Sequence, residues 1–200
     1  METFKVFSTR DINKMFPGMN NMNLVRWQQK GYLVKIIKGW YCFSDDQAAE
    51  NISWLIANLI YTPSYISLDS ALSWYNLIPE AVYITTSVST RKTNQFITAA
   101  GNFRYNTVKK SAFGFGHRLI DVKPGEQSRK IVIAEPEKAI LDFFYINHQY
   151  KSEKDIEALR LDRTVLHSLD NAKLFLYLDR FESKALNDRI FKMIKVYAIT

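Results

Sequence analysis

Polar side chains of the types that read nucleic-acid bases recur at helical spacing between residues 20 and 30. Asn23, Arg26 and Lys30 are three and then four residues apart, so a helix would present them on one face. At base edges in the major groove, Arg hydrogen-bonds guanine and Asn hydrogen-bonds adenine. Further hydrogen-bonding groups lie at the start of this helix and beside the face, at Asn20, Asn21 and Gln29. The pattern predicts a helix that contacts DNA.

Two consecutive helices are needed to position these side chains. A cap at Ser8 or Thr9 precedes a first helix over 11–16, and Pro17-Gly18 ends it. A second helix begins after a cap at Asn20 or Asn21 and runs to Lys30, with Gly31 as the residue that follows its end. The short connection between them predicts a helix-turn-helix.

A β-hairpin follows these helices. The strand-like runs 33–37 and 40–43 flank Lys38-Gly39, where glycine permits the positive φ of a two-residue turn. Lys35 and Lys38 on this hairpin, with Arg10 and Lys14 on the first helix, are placed to contact phosphates. The order of elements predicts a winged helix-turn-helix DNA-binding domain over residues 1–45.

The net charge supports this location for a nucleic-acid partner. The chain has 27 basic and 20 acidic residues, a net charge of +7. By segment the balance is +4 over 1–45, −2 over 46–100, +3 over 101–150 and +2 over 151–200. Over half of the surplus therefore lies in the first 45 of 200 residues.

The remaining residues, 46–200, predict a second domain of α+β class. Periodicity and turn signals indicate helices over 47–78, a mixed and mainly antiparallel sheet over 81–134, and helices over 135–197. After Ser152 we expect two or three helices, with Asp170 as a cap. The whole chain is thus predicted to be a small DNA-binding domain followed by a larger domain with a separate role.

Basic and aromatic residues alternate in the predicted sheet. The basic residues are Arg91, Lys92, Arg104, Lys109, Lys110 and Arg118, and the aromatic ones include Phe96, Phe103, Tyr105, Phe113 and Phe115. Such a surface could bind RNA, or the nucleic-acid substrate of a partner protein. The favoured interpretation is a sheet with its aromatic side chains inside and its basic ones outside.

No set of residues predicts an enzyme. Asp121 with Glu135-Pro136-Glu137-Lys138 invites comparison with a nuclease site, but Pro136 occupies the position that an acid would need. We therefore expect Glu135 and Glu137 to favour a helix N-terminus and Lys138 to be solvent-facing or paired. The histidines at 117, 148 and 167 are far apart, and the segment 111–116 lacks the lysine of a phosphate-binding loop.

Composition limits the remaining classes. The chain is 47% apolar and 24% charged, which is typical of a folded globular protein. Its single cysteine, Cys42, excludes an internal disulfide framework and is expected to be a small buried apolar residue. No apolar run approaches the roughly 20 residues of a membrane span. We expect a soluble cytoplasmic protein with no membrane partner and no cofactor.

Several segments resemble the AbiEi-type antitoxins. These are Leu33 to Tyr41 of the hairpin, Tyr65-Ile66-Ser67-Leu68-Asp69-Ser70-Ala71-Leu72 with Leu77-Ile78-Pro79-Glu80, Thr85 to Arg91, and Ala134-Glu135-Pro136-Glu137-Lys138-Ala139-Ile140-Leu141-Asp142. They occur in order across about residues 8–145. Lys38-Gly39-Trp40-Tyr41 replaces the family's Arg-Gly-Val-Tyr-like motif, and residues 151–200 match no family motif.

The resemblance implies a winged helix that represses the chain's own operon through inverted repeats in its promoter. It implies that the rest is an antitoxin domain opposing a nucleotidyltransferase-type toxin. In that family the antagonism is of type IV, without a stable complex, and serves abortive infection as a defence against phage. From the residues alone, a direct toxin-binding inhibitor and an RNA-binding protein remain as alternatives.

Overall fold

The computed structural model describes residues 5–44, 50–122 and 128–199, without the side chains of Glu50 and Asn51. The α+β class is confirmed, because the described residues form both helices and strands, with a run of strands between residues 84 and 134 and a run of helices after residue 135. The expected beginning of a helix at 47, the turn at 123–125 and the domain boundary at 45/46 lie outside the described residues.

Residues 6–43 form a small unit of two helices and three strands. The bounds are β1 Val6–Ser8, α1 Thr9–Met15, α2 Met22–Gln29, β2 Leu33–Ile37 and β3 Trp40–Phe43. The strands are antiparallel in the order β1-β3-β2. Both expected helices and the expected hairpin form, and β1 adds a strand that the sequence did not predict.

The two faces of this small sheet pack in different directions. Phe7 and Tyr41, which pair across β1 and β3, join Ile12, Leu24 and Leu33 in a core beneath the two helices. The alternate residues Val6, Ile36 and Cys42 belong to the core of the rest of the protein. Cys42 is fully buried, as the sequence predicted. The N-terminal unit therefore has a core of its own and is also anchored on the second sheet.

A six-stranded mixed sheet organises the rest of the chain. Its strands are β4 Ser64–Ile66, β5 Ile84–Ser89, β6 Asn94–Thr98, β7 Gly101–Thr107, β8 His117–Val122 and β9 Arg129–Ala134. The order is β6-β7-β5-β4-β9-β8. The β6–β7, β4–β5 and β8–β9 pairs are antiparallel, and the β5–β7 and β4–β9 pairs are parallel.

Strand β4 is a departure from the sequence prediction. It has three residues, follows Pro63, and lies within the segment 47–78 in which the sequence predicts helices. A run this short carries no alternating pattern, yet Tyr65 and Ile66 are buried and pair with strands on both sides. Its neighbours β5 and β9, distant in the chain, fix it as a central strand.

Helices lie on both faces of the sheet. They are α3 Glu50–Ile60, α4 Leu68–Trp74, α5 Pro136–Ile146, α6 Glu153–Glu157, α7 Arg163–His167, α8 Asn171–Arg180 and α9 Lys184–Tyr197. On one face the Tyr105 hydroxyl donates to the carbonyl of Ala57 in α3 (2.8 Å). Tyr65 pairs with Val88 of β5, and Val88 pairs with Asn106 of β7. Because neighbouring residues of a strand point to opposite faces, Tyr65 lies on the face opposite Tyr105, where its hydroxyl contacts Lys138 of α5.

Four helices, rather than the expected two or three, follow Ser152 in the described region. Short helices such as α6 and α7 have five residues each, too few for a clear apolar period. Asp170 caps α8 as predicted, since its carboxylate accepts from the Lys173 N–H (3.0 Å). Within the described ranges no helix has the length and apolar content needed to cross a bilayer.

Candidate nucleic-acid interface

Helix α2 is anchored on one side only. Leu24 is buried in the N-terminal core against Ile12 and Leu33, and Trp27 packs partly against the same core. The Gln28 side-chain amide folds back and donates to the Leu24 carbonyl (2.9 Å). These contacts fix the helix orientation and leave its opposite face exposed to solvent.

The outward face of α2 departs from the sequence prediction at one residue. Met22, Val25, Arg26 and Gln29, at spacing i, i+3, i+4 and i+7, are all exposed, whereas Asn23 is half-buried. Asn23 was expected to share the face with Arg26 and Lys30, and it lies at the edge beside Leu24 instead. Met22 (54% exposed) and Val25 (42%) also lie on this face, which the sequence prediction described by its polar residues alone.

Asn20 and Asn21 lie exposed at the start of this helix, as predicted. Asn21 is the N-cap residue but makes no capping bond with its side chain. The side-chain oxygen of Asn20 accepts from the Met22 N–H instead (2.8 Å). The cap therefore uses the acceptor of Asn20 and none of the amide of Asn21, whose donors and acceptor are available to a ligand.

The hairpin turn is tied to the first helix. Gly39 has φ +82°, as the two-residue turn requires, and its carbonyl accepts from the Thr9 N–H (2.9 Å). Lys38 in this turn and Lys35 on β2 are both exposed. The backbone bond holds the turn beside the start of α1, so Lys38 is carried by a fixed turn and Lys35 by a strand.

Helix α1 exposes Arg10 and Lys14, as predicted. It begins with a reciprocal capping box, in which the Ser8 hydroxyl accepts from the Asp11 N–H (3.2 Å) and the Asp11 carboxylate accepts from the Ser8 N–H (2.8 Å). Burial alone would raise the pKa of Asp11, but the Ser8 hydrogen bonds and the nearby Lys14 lower it below its usual value. This acid is therefore committed to the cap.

The N-terminal unit consequently carries a concentrated positive charge. Residues 5–44 contain seven basic side chains (Lys5, Arg10, Lys14, Arg26, Lys30, Lys35, Lys38) and one acid, Asp11, a surplus of six. All but Lys5 of the seven are exposed. Such a surface attracts phosphate groups.

The six basic residues of the predicted sheet surface are not one patch. Arg104 is exposed on β7, while Arg118 is on β8 at the opposite edge of the sheet. Lys110 is exposed beyond the end of β7, and Lys109 pairs with Glu182 (3.1 Å). Lys92 is exposed in the β5–β6 connection.

The other two arginines stack on tyrosines of the fold. The Arg91 guanidinium lies 4.1 Å from the centre of the Tyr61 ring, and that of Arg118 lies 5.4 Å from the Tyr75 ring. The aromatic residues Phe103 and Tyr105 are fully buried on either side of Arg104. The favoured interpretation of aromatic side chains inside and basic ones outside is thus confirmed for β7.

A polar cluster in the core joins two of the segments that carried the family resemblance. The Lys138 amine on α5 donates to the Tyr65 hydroxyl (2.7 Å) and to the Asp142 carboxylate. Asp142 also accepts from the hydroxyls of Ser67 (2.8 Å) and Tyr65 (3.0 Å). All four side chains are buried. Residues 65–72 and 134–142 therefore meet around one ion pair.

Burial dominates the electrostatics of this cluster. It raises the pKa of Asp142 and lowers that of Lys138, and their mutual attraction opposes both shifts. The lysine is also surrounded by aromatic rings, with Phe181 4.7 Å and Phe115 5.2 Å from its amine. The expectation that Lys138 is solvent-facing or paired is resolved as paired and fully enclosed.

The acids once compared with a nuclease site do not converge. Asp121 is exposed on β8 and accepts from the Ser128 hydroxyl (3.1 Å). Glu135 accepts from the Tyr177 hydroxyl (2.8 Å), and Glu137 accepts from the Asp170 N–H (3.0 Å). Each acid therefore has its own structural partner. In the described parts of the chain, no group of three His, Cys, Asp or Glu side chains could hold a metal ion.

The histidines have separate environments. His117 stacks on Tyr65 at 5.6 Å, and its buried Nδ1 has no hydrogen-bond partner among the described residues. His148 is within 3.1 Å of the Arg189 guanidinium, and His167 ends α7 at the surface. His117 extends the polar cluster, which the sequence spacing gave no sign of.

No family model matches this sequence, and no curated protein matches it.

Proposed function

We propose that the chain is an antitoxin and transcriptional autorepressor that binds double-stranded DNA through residues 1–45. The observation that carries the proposal is the outward face of α2, where Arg26, Gln29 and Lys30 are exposed beside the basic hairpin. The order helix, turn, helix, hairpin supports a winged helix-turn-helix, in which the second helix enters the major groove.

The chemistry of this face suits base reading. Arg26 supplies a planar pair of donors for guanine, and Gln29 supplies a donor and an acceptor for adenine. Met22 and Val25, exposed on the same face, suit the methyl groups of thymine. Lys35, Lys38, Arg10 and Lys14 supply the phosphate contacts that fix register on the duplex.

The first prediction concerns base recognition. Arg26→Ala should weaken binding to the DNA upstream of the chain's own gene by about 1–3 kcal/mol and relax the preference over scrambled DNA. Fluorescence anisotropy at fixed salt measures both affinities. Lys154→Ala, which removes one exposed charge from α6, is the control and should leave both unchanged. If Arg26→Ala kept the wild-type ratio of affinities for upstream over scrambled DNA, the proposed role of α2 would be refuted.

The second prediction concerns the hairpin. Lys35→Ala and Lys38→Ala should each reduce the slope of log affinity against log salt concentration by about one unit, because each removes one phosphate contact. The preference among DNA sequences should not change. Anisotropy titrations over a salt series give the slopes, and a wild-type slope in both variants would remove the hairpin from the interface.

The antitoxin half of the proposal depends on residues 46–200 and on a nucleotidyltransferase-type toxin encoded beside the chain. Co-expression of the chain with the neighbouring gene's product should restore the growth of cells that this product arrests. The full-length Arg26→Ala variant should still restore growth. Growth arrest that persists despite the wild-type chain would refute the antitoxin role. Co-purification of the two proteins would identify a direct inhibitor in place of antagonism without a stable complex.

A further inference from the structure

A basic pocket lies between the segment that follows α5 and the first half of α9. It has a volume of about 410 Å³, and its lining residues are His148, Lys151, Ala185, Asp188, Arg189 and Lys192. Three of these residues are cations and one is an acid, which gives a surplus of two positive charges with a neutral histidine. Neither the DNA-binding face nor the buried polar cluster includes any of them.

Arg189 is the unusual residue of this pocket. Arg189 is only 6% exposed, yet no carboxylate of the described residues lies within 4 Å of its guanidinium. Its Nε donates to the Ala185 carbonyl (2.8 Å), and its Nη1 donates to the Phe144 carbonyl (2.6 Å). Burial lowers the pKa of Arg189, and within the described parts of the chain no carboxylate counteracts that shift. Its partners are therefore neutral groups.

A buried cation ordinarily has a counter-ion, because desolvation of an unpaired charge is costly. The Phe144 carbonyl is near the C-terminal end of α5, where the helix dipole offers about half a unit of negative charge. That partial negative charge does not neutralise the full positive charge of Arg189. A ligand anion in the adjoining pocket would supply the missing negative charge.

The other side chains of the pocket increase this surplus of positive charge. Lys192 donates to the Lys151 carbonyl (3.0 Å), and its amine is 3.7 Å from Asp188, the single acid among the described lining residues. The Lys151 side chain is exposed and adds a further charge. One carboxylate therefore faces three cations.

His148 adds a donor of defined direction. Its Nδ1 lies 3.1 Å from Nη1 of Arg189, and since arginine can only donate, Nδ1 must accept. A neutral imidazole then carries its proton on Nε2, which becomes a hydrogen-bond donor. Guanidinium, ammonium and imidazole donors around one pocket match the several acceptor oxygens of a phosphate.

We propose that this pocket binds a phosphate group, carried either by a small molecule or by a nucleic-acid backbone. The phosphate oxygens neutralise Arg189 and are held from the sides by Lys151, Lys192 and His148. Asp188 keeps Lys192 at the pocket edge. The site is separate from α2 and from the hairpin, so it does not depend on the function proposed above.

Calorimetry on the full chain with inorganic phosphate and with pyrophosphate tests the proposal, in chloride buffers of equal ionic strength. We expect saturable binding of at least one anion by the wild type. The double variant Lys151→Gln/Lys192→Gln should bind it tenfold or more weakly, since hydrogen bonds between ions are lost. These lysines, unlike Arg189, can be replaced without leaving a cavity in the core.

A matched control removes the same charge elsewhere. Lys154→Gln/Lys184→Gln takes two exposed cations from α6 and α9 outside the pocket and should bind as the wild type does. Thermal unfolding without ligand should be alike in the two double variants. Absence of phosphate-specific binding in the wild type, or equal losses in both double variants, would overturn the proposal.

A second arm identifies the source of the phosphate. A short single-stranded RNA is titrated against the same proteins, with and without pyrophosphate. If RNA binding requires Lys151 and Lys192 and pyrophosphate displaces the RNA, a backbone phosphate occupies the pocket. RNA binding that is unaffected by the double variant, with pyrophosphate binding that is lost, indicates a small phosphate-bearing ligand.

Discussion

Individual side chains of this protein have roles that depend on their degree of burial. Lys138 and Lys195 are both paired with acids, Lys138 with Asp142 inside the core and Lys195 with Glu153 at the surface. Water screens the second pair and is excluded from the first. Chemically alike ion pairs should therefore differ greatly in their contribution to stability.

The third prediction is that Lys138→Met destabilises the protein by about 3–5 kcal/mol, because Asp142 is left buried without its cation. Lys195→Met is the matched control and should cost less than about 1 kcal/mol, as exposed pairs do. Urea unfolding measures both losses of free energy. Similar losses in the two variants would show that Lys138 does not neutralise a buried charge.

At the scale of elements, the connection between β7 and β8 closes the core over α5. The Phe113 ring is tilted against that of Tyr65 with centroids 5.2 Å apart, and the Phe115 ring is tilted against that of Tyr177 at 5.3 Å. The glycines of this segment differ in their surroundings. A Cβ at Gly116 would lie 2.9 Å from carbons of both Lys138 and Tyr177, whereas a Cβ at Gly114 would contact nothing within 4 Å.

The fourth prediction uses this difference. Both glycines have positive φ, +88° at Gly114 and +63° at Gly116, so alanine at either position should cost about 1–2 kcal/mol from backbone strain. Gly116→Ala should lose a further ~1–3 kcal/mol from overpacking against α5. Urea unfolding of the two variants gives the comparison. An equal loss would mean that the segment can move away from α5.

The same scale shows how far local sequence signals reach. The capping residues Ser8 and Asp170, the glycine of the hairpin turn and the apolar period of α3 each act over a few residues, and each predicted its element. Strand β4 and the short helices α6 and α7 have too few residues for such signals. Their positions depend on elements remote in the chain.

At the scale of the whole molecule, the N-terminal unit is both distinct and attached. Its helices cover a core of five residues, while Val6, Ile36 and Cys42 pack with α3 and the second sheet. A unit that shares core residues with the rest of the chain should not unfold separately. This attachment also fixes the direction in which α2 faces solvent.

The fifth prediction is a single unfolding transition for both parts. Trp27 packs against the N-terminal core, and Trp40 lies on β3 of the same unit where it contacts the main core. Trp54 and Trp74, in edge contact at 5.0 Å, report on the rest. Two variants, each keeping one tryptophan pair and carrying Phe at the other, allow fluorescence of each part to be followed in urea. We expect a single midpoint by both probes and by circular dichroism within each variant.

Ile36→Ala, introduced into both tryptophan variants, sharpens this test. It should lower the free energy of unfolding by about 2–5 kcal/mol and shift both probes equally, since Ile36 is buried in the shared core. A lower midpoint for the Trp27 and Trp40 signal alone would show that the N-terminal unit unfolds on its own.

The sequence by itself determined the α+β class, the two N-terminal helices with their hairpin, and the concentration of positive charge in the first 45 residues. These properties follow from periodicity, capping and residue type, which act between neighbours in the chain. Only the tertiary structure decided that Asn23 is half-buried at the edge of the α2 face, beside Leu24, which packs in the N-terminal core.

The tertiary structure alone also placed Lys138 beside Tyr65, 73 residues away in the chain, and Arg189 beside the carbonyl of Phe144, 45 residues away. The charges of these residues are visible in the sequence, but their burial is not. Desolvation depends on every element packed around a group, and therefore it is the fold that turns one lysine into a core ion pair and one arginine into an anion site.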